Sequence, residues 1–254
     1  MPATSVLSDP HTHARACGLD PARLPQHAAV IMDGNGRWAK RRGWERFLGH
    51  RKGTESVRAV TTACVELGIP RLTLYAFSSE NWHRPRREVD YLMDLLAEFL
   101  RGEIPTMLDN GVRLTAIGQL DRLPAQVVSA LDAARSATRD GTATNLCLAL
   151  SYGGRDELVA ACRQLAQRAV RGEIAPESID AEVLRGALYS PEDVDVVIRT
   201  AGERRMSNFL PWQAAYAEFI DHAALWPDFT RDDFLACLRE YQGRERRFGC
   251  VTPS

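Results

Sequence analysis

The 254-residue chain is marked first by what it lacks. No apolar run approaches the ~18–20 residues that span a bilayer, which argues against a membrane-spanning helix. The first twenty residues, MPATSVLSDPHTHARACGLD, have no apolar stretch of the signal-peptide kind. An excess of either charge is missing as well, since 32 basic residues face 33 acidic ones. No whole-molecule field therefore draws the chain onto nucleic acid, and an anion site has to come from local clustering. The six cysteines (17, 64, 147, 162, 237 and 250) lie far apart with no CxxC pair, which argues against a disulfide framework and a zinc site. Internal repeats and low-complexity linkers are absent too. The expectation is a reduced, soluble, cytoplasmic protein whose core, burying roughly 70–75 % of the unfolded surface, needs no staples.

What is present is an alternation of short β-rich runs with longer helical patterns. Residues 1–23 read as a disordered polar arm, 24–249 as one domain and 250–254 as a tail. Strand candidates are Ala28–Met32, Arg71–Phe77, Arg113–Ile117, Asn145–Leu150, Val194–Ile198 and Ala215–Ile220. Helical patterns cover His50–Leu67, Glu88–Leu108 and stretches near 124–138, 154–170, 180–188 and 231–246. Pro105 cannot donate an N–H, so the second of these should kink near Arg101-Gly102. Strands alternating with helices imply parallel pairing through right-handed crossovers, hence a single α/β domain.

The segment Met32-Asp33-Gly34-Asn35-Gly36-Arg37-Trp38-Ala39-Lys40 directly follows the first strand. That places it at the carboxyl edge, where open α/β sheets bind ligands. Its glycines free the backbone to aim N–H groups at an anion, although it is neither a Walker loop nor a GxGxxG fingerprint. From Arg37 to Lys52 seven Lys/Arg stand against one Glu, a local charge of +6. Such a run serves either an anion site or a solvated face. Asp33, a carboxylate opening a basic loop, suits Mg2+, which prefers carboxylates together with substrate phosphates.

Three segments occur in order: HAAVIMDGNGRWAKRRG, LTLYAFSSENWHRP and DVVIRTAGERRMSNFLPWQAAYAEF. With them the chain resembles the cis-prenyltransferases, the undecaprenyl diphosphate synthase family, from about Leu24 to Gly249. The resemblance implies a six-stranded, mostly parallel sheet flanked by helices, with an apolar tunnel, and a homodimer. It also implies Mg2+-dependent addition of isopentenyl diphosphate to an allylic diphosphate, such as farnesyl diphosphate, with cis geometry. Gly34, Asn35, Gly36, Arg37, Arg46 and His50 match positions that hold the allylic diphosphate. Trp38 either covers the first isoprene unit or is a core aromatic. Ser78, Ser79, Glu80, Trp82 and Arg84 belong to a loop that orders over substrate.

Arg199, Arg205, Met206 and Ser207 match the isopentenyl diphosphate site, and Asp33 and Glu218 the metal positions. Arg247 and Gly249 match an RxG signature that reaches the diphosphate across the dimer. Catalysis falls to Asp33 and Asn81. Asn81 matches the residue assigned as proton acceptor at isopentenyl C2, but an amide is a poor base. Orienting a water or a diphosphate oxygen suits it better. Two departures stand out: Ala201 where Gly or Ser is common, and Arg204 where His is common. No DDxxD cluster occurs, since Asp232-Asp233 runs into Phe234-Leu235-Ala236, so the trans-prenyltransferases are excluded.

The apolar stripe from Val89 to Leu108 is either a tunnel wall or ordinary core packing. With Ala76 small and no insertion in that helix, the resemblance favours a medium-length product near undecaprenyl diphosphate. Release of such a product implies transient contact with a membrane surface. The competing readings are a short-chain or head-to-middle coupling enzyme, a catalytically silent partner subunit, and a phosphate- or RNA-binding module.

Overall fold

The computed structural model describes residues 9–244. All five residues of strand β1 (His27–Ile31) are buried. Ala28 and Val30 feed one core cluster, Ala29 and Ile31 the other. A strand apolar on both faces is what a parallel sheet covered by helices requires. β1 lies between β2 (Arg71–Ser78) and β5 (Val196–Arg199). β3 (Val112–Ile117), β4 (Thr144–Tyr152) and β6 (Glu218–Asp221) complete the order β3-β4-β2-β1-β5-β6. Every pairing is parallel. The six expected strands are therefore present, and the mostly parallel sheet is wholly parallel.

Helices α1 (Pro10–Ala16), α2 (Asn35–Arg41), α3 (Leu48–Leu67) and α4 (Arg86–Gly102) precede α5 (Ile104–Asp109) and α6 (Ala125–Ala137). α7 (Gly154–Val170), α8 (Ala181–Arg185) and α9 (Arg231–Gly243) follow. The kink expected before Pro105 is a full break at Glu103, which separates α4 from α5. There the buried Glu103 carboxylate accepts from Arg58 of α3 at 2.7 Å.

The expected disordered arm through residue 23 is corrected for residues 9–23. Asp9 caps α1 by accepting from the Thr12 N–H, Ala14 is fully buried, and Arg231 of α9 bonds both His13 and Glu66. Seven residues hold no helix alone; tertiary packing supplies what local pattern could not.

The topology positions the site. After β1 the chain crosses to β2 on one side, whereas after β5 it crosses to β6 on the other. Neighbouring strands whose connections diverge leave a crevice beyond their carboxyl ends. Ile31 is level with Arg199 in that pair, so Asp33 and Arg199 meet at the crevice.

Candidate active site

Asp33 sits two residues past β1 with both carboxylate oxygens engaged. Arg37 approaches one at 3.1 Å, and Arg199 donates to the other at 2.9 Å. Burial alone would raise the carboxyl pKa, but the two guanidiniums outweigh it and hold Asp33 below the ordinary carboxylate range. Arg199 is only 4 % exposed. It donates to Ser207 Oγ at 2.6 Å and to the Arg205 carbonyl, while its Nε is buried without a partner among the described residues. Glu203 pairs with both Arg37 and Arg205, and Thr200 Oγ1 bonds the Asp33 carbonyl at 2.7 Å. Neither residue was singled out from the sequence, although a glutamate set among arginines was the available signal.

A second cationic group flanks the loop. Gly34, at φ 104°, leads into α2, and a Cβ there would strike Leu225 at 2.9 Å. A Cβ on Gly36 would lie 3.0 Å from the Arg46 guanidinium. His50 is pushed down to about 3, first by burial and then by the charges of Arg84 and Arg46, so it is neutral at any working pH. Asn35 donates to the Met32 carbonyl at 3.1 Å, and its own Oδ1 is buried without a partner among the described residues.

Asn35 and His50 are among the residues that line a cavity of about 100 Å3. Its walls are apolar and come from α3, α4, β2 and β4, with Val57, Ala76, Leu92, Leu96 and Phe99 among them. Val57 and Phe99 also line a second, smaller cavity that reaches Glu103 and Met107. Trp226 closes the first cavity from the loop before α9, its indole N–H bonded to the Gly53 carbonyl at 2.9 Å.

After β2 the turn Ser79–His83 is closed by a reciprocal cap: the Ser78 side chain accepts from the backbone of Asn81, and Asn81 Oδ1 accepts from the Ser78 N–H at 3.2 Å. That bond uses the Asn81 oxygen and leaves its amide N–H groups for other partners, which fits an orienting donor and not a base. Trp82 packs edge-on against Phe77 and donates to Ser151 Oγ at 2.9 Å. Arg84 pairs with Glu88 at 3.0 Å.

Opposite lies the loop after β5, whose backbone is unusual. Ala201, Ser207, Asn208 and Leu210 all have positive φ, between 48° and 71°. Met206 packs beside Phe209 and Leu210, which are fully buried and anchor the loop.

Several expected members lie elsewhere. Trp38 is packed with Ala39 and Leu225, under the Arg42 guanidinium and with its N–H on Asp228 at 2.6 Å, so it is a core aromatic and does not line the cavity. Glu218 stands apart from Asp33 in this chain. It is level with Val196, three residues before Arg199, or about 10 Å toward the amino edge at ~3.3 Å per residue. There it pairs with Arg244 at 3.0 Å. Arg204 is 80 % exposed and neutralised by Asp221 at 3.0 Å. Arg247 and Gly249 lie outside the described residues.

Among the described residues no three His, Cys, Asp or Glu side chains converge as a metal site. An ionised Asp33 beside clustered arginines nevertheless fits Mg2+ bound through one carboxylate and substrate phosphates.

The family model described as undecaprenyl diphosphate synthase matches residues 31–249. The isoprenyl transferase of Heliobacterium mobile is 48% identical over 235 residues, 92% of this chain and 90% of that protein. That of Rhizobium meliloti is 46% identical over 236 residues, 92% and 96%. A lavandulyl diphosphate synthase from Lavandula x intermedia, in complex with dimethylallyl diphosphate, superposes with a TM-score of 0.86 at 34% identity. It covers 90% of this chain and 99% of its own. A probable undecaprenyl diphosphate synthase from Campylobacter jejuni gives 0.74 at 35% identity, covering 89% and 98%. The chain therefore belongs to the isoprenyl transferase family typified by undecaprenyl diphosphate synthase.

Proposed function

We propose that this chain condenses isopentenyl diphosphate repeatedly onto an allylic diphosphate such as farnesyl diphosphate, with cis geometry and Mg2+. The observation that carries the reading is the adjoining of two features: an arginine-bracketed carboxylate at the crevice and a largely apolar cavity lined in part by Asn35 and His50 of the neighbouring loop and helix. An allylic diphosphate has that shape, an anionic head on an apolar tail.

In each cycle the allylic C1–O bond breaks and its electrons leave with the diphosphate. The double bond of isopentenyl diphosphate supplies the pair for the new carbon–carbon bond to C1, and the proton at its C2 is lost. Charge that develops on the leaving diphosphate has to be met by donors already in place. The α2 amino end, Arg46 and neutral His50 serve there, while Arg199, Arg205 and Ser207 hold the second diphosphate. Arginine suits both tasks because its planar fork grips two phosphate oxygens at once. Mg2+, held by Asp33 and phosphate oxygens, would supply Lewis-acid compensation of the departing charge. Asn81 orients water or a diphosphate oxygen beside C2.

The growing chain occupies the cavity under α3 and α4 and, past Val57 and Phe99, the smaller one beyond, which together form the tunnel. Two neighbouring cavities that share Val57 and Phe99, with Ala76 small, favour a medium-length product near undecaprenyl diphosphate. The enzyme acts as a homodimer in the cytoplasm and meets a membrane surface as the product leaves. Among the described residues no helix is long and apolar enough to cross a membrane.

Mass spectrometry of the dephosphorylated product from farnesyl and isopentenyl diphosphates tests the reading. A ladder ending at a medium-length polyprenyl chain supports it. A single branched product would support head-to-middle coupling instead, the alternative favoured by the likeness to lavandulyl diphosphate synthase. No product would indicate a silent partner subunit.

A further inference from the structure

Asn208 lies within the third segment quoted above, where it was given no role, and it bridges to two other elements, the Ser79–His83 turn and α7. Its Nδ2 donates to Glu80 Oε1 of the Ser79–His83 turn at 3.0 Å, and its Oδ1 accepts from the Arg155 N–H at 2.9 Å. Its own carbonyl accepts from the Gly154 N–H at 2.8 Å. The amide orientation follows from its partners, because a carboxylate can only accept and a backbone N–H can only donate. Space agrees: a Cβ on Gly153 would stand 2.5 Å from Ser79 Oγ and 2.9 Å from Asn208 Nδ2.

The preceding residue, Ser207, receives the Arg199 hydrogen bond. A continuous path therefore runs from Glu80 through Asn208 and Ser207 to Arg199 and Asp33. The φ of 63° at Asn208 belongs to the left-handed region, where Asn is one of the few side chains accommodated at low cost.

We propose that Asn208 is a positioning residue that ties the Ser79–His83 turn, and Asn81 within it, to the isopentenyl diphosphate loop, so that the two half-sites assemble as one. The inference rests on the condensation reading above and names the joint that this reading needs. Asn208 touches neither diphosphate. It fixes the distance between the groups that do, and a displacement of ~1 Å in a reacting geometry can cost on the order of 100-fold in rate.

The test is a double-mutant cycle with farnesyl and isopentenyl diphosphates, in which the wild type comes first. Absence of product from wild type overturns the function proposed above, whatever the variants do. Given wild-type turnover, Asn208→Asp keeps the acceptor for Arg155 but sets a second carboxylate against Glu80. It should lower kcat/KM for isopentenyl diphosphate roughly 10- to 100-fold, the equivalent of one charged hydrogen bond. The calorimetric Kd for farnesyl diphosphate should stay within about threefold, since the allylic head and tail sites are untouched.

In a Glu80→Gln background the new amide can donate to the introduced carboxylate, so Asn208→Asp should cost less than about threefold there. An equal cost in both backgrounds, or none in either, overturns the proposal. Asn208→Gly, which keeps the left-handed backbone, covers a failure of Asn208→Asp to fold. Wild-type kcat/KM in that variant would overturn the proposal as well.

Discussion

Asp33→Ala separates the two tasks this carboxylate performs. The substitution removes the acceptor of guanidinium bonds 3.1 Å from Arg37 and 2.9 Å from Arg199. The Arg37 side chain is 44% exposed, so water takes over its share. Arg199 is buried and keeps only the Arg205 carbonyl and Ser207 Oγ. The stability loss is then that of one buried charge-assisted hydrogen bond, about 1.5–3 kcal/mol, or roughly 3–12 °C in Tm for a chain of this size.

Asp33 titrates below its ordinary value, so its stabilisation is present above pH 3.8 and is lost as pH falls through the folded pKa. The gap in Tm between wild type and variant should therefore close only in strong acid. Losing one stabiliser of developing charge typically costs ~10²–10³ in kcat. Binding should move the other way. With Asp33 gone, the site gains a unit of positive charge, and the Kd for farnesyl diphosphate without Mg2+ should hold or fall. Calorimetry without isopentenyl diphosphate and steady-state turnover with it measure the two tasks separately. A kcat within threefold of wild type at saturating Mg2+ would refute the assignment, and so would collapse of farnesyl diphosphate binding.

Ala76→Leu adds three carbons to a wall of the first cavity. Overpacking costs ~1–3 kcal/mol in a closed core, but here product space can yield instead, so the variant should fold and release shorter chains. An unchanged product ladder on chromatography would remove Ala76 from the tunnel. Arg205→Lys keeps the charge and loses the fork, so KM for isopentenyl diphosphate should rise several-fold more than KM for the allylic substrate; equal effects would mean the two sites are misassigned.

His27 is buried between Thr73 and the Asp193 carbonyl and pushed down to about 4, first by burial and then by Arg71. The unfolded chain holds the extra proton between the ordinary value of 6.5 and about 4. Stability should accordingly drop on acidification through that window, with His27 contributing about 1.4 kcal/mol per pH unit. Urea titrations at pH 7 and pH 5 should show a smaller drop for His27→Gln, and an identical drop would refute the cause.

The strands were legible because a fully covered parallel sheet writes continuous apolar runs, and an interruption before Pro105 was legible as a kink because proline removes a helix hydrogen bond, although the chain breaks outright at Glu103. The loop after β1 was legible from its glycines and charges. Helix α1 was not: its seven residues depend on Ala14, His13 and Cys17 meeting α3 and α9, contacts more than forty residues away in sequence. The place of Glu218 was not legible, because a motif gives order along the chain, whereas strand register decides which end of the sheet a residue occupies. Asn208 escaped notice for a related reason, since its partners Glu80 and Arg155 come from a turn and a helix distant in sequence.

The loop after β5 carries a debt in its backbone. Besides Asn208, three non-glycine residues from Ala201 to Leu210 hold left-handed conformations, at ~1–2 kcal/mol each. Their total approaches the ~5–15 kcal/mol by which whole proteins are stable. Burial of Phe209 and Leu210 keeps the loop in place, so durability has been exchanged for a rigid anion grip. Ala201→Gly should raise Tm by a few degrees, because glycine occupies that conformation without penalty. The same exchange makes this loop the first place where selection for heat resistance and selection for turnover would pull the sequence in opposite directions.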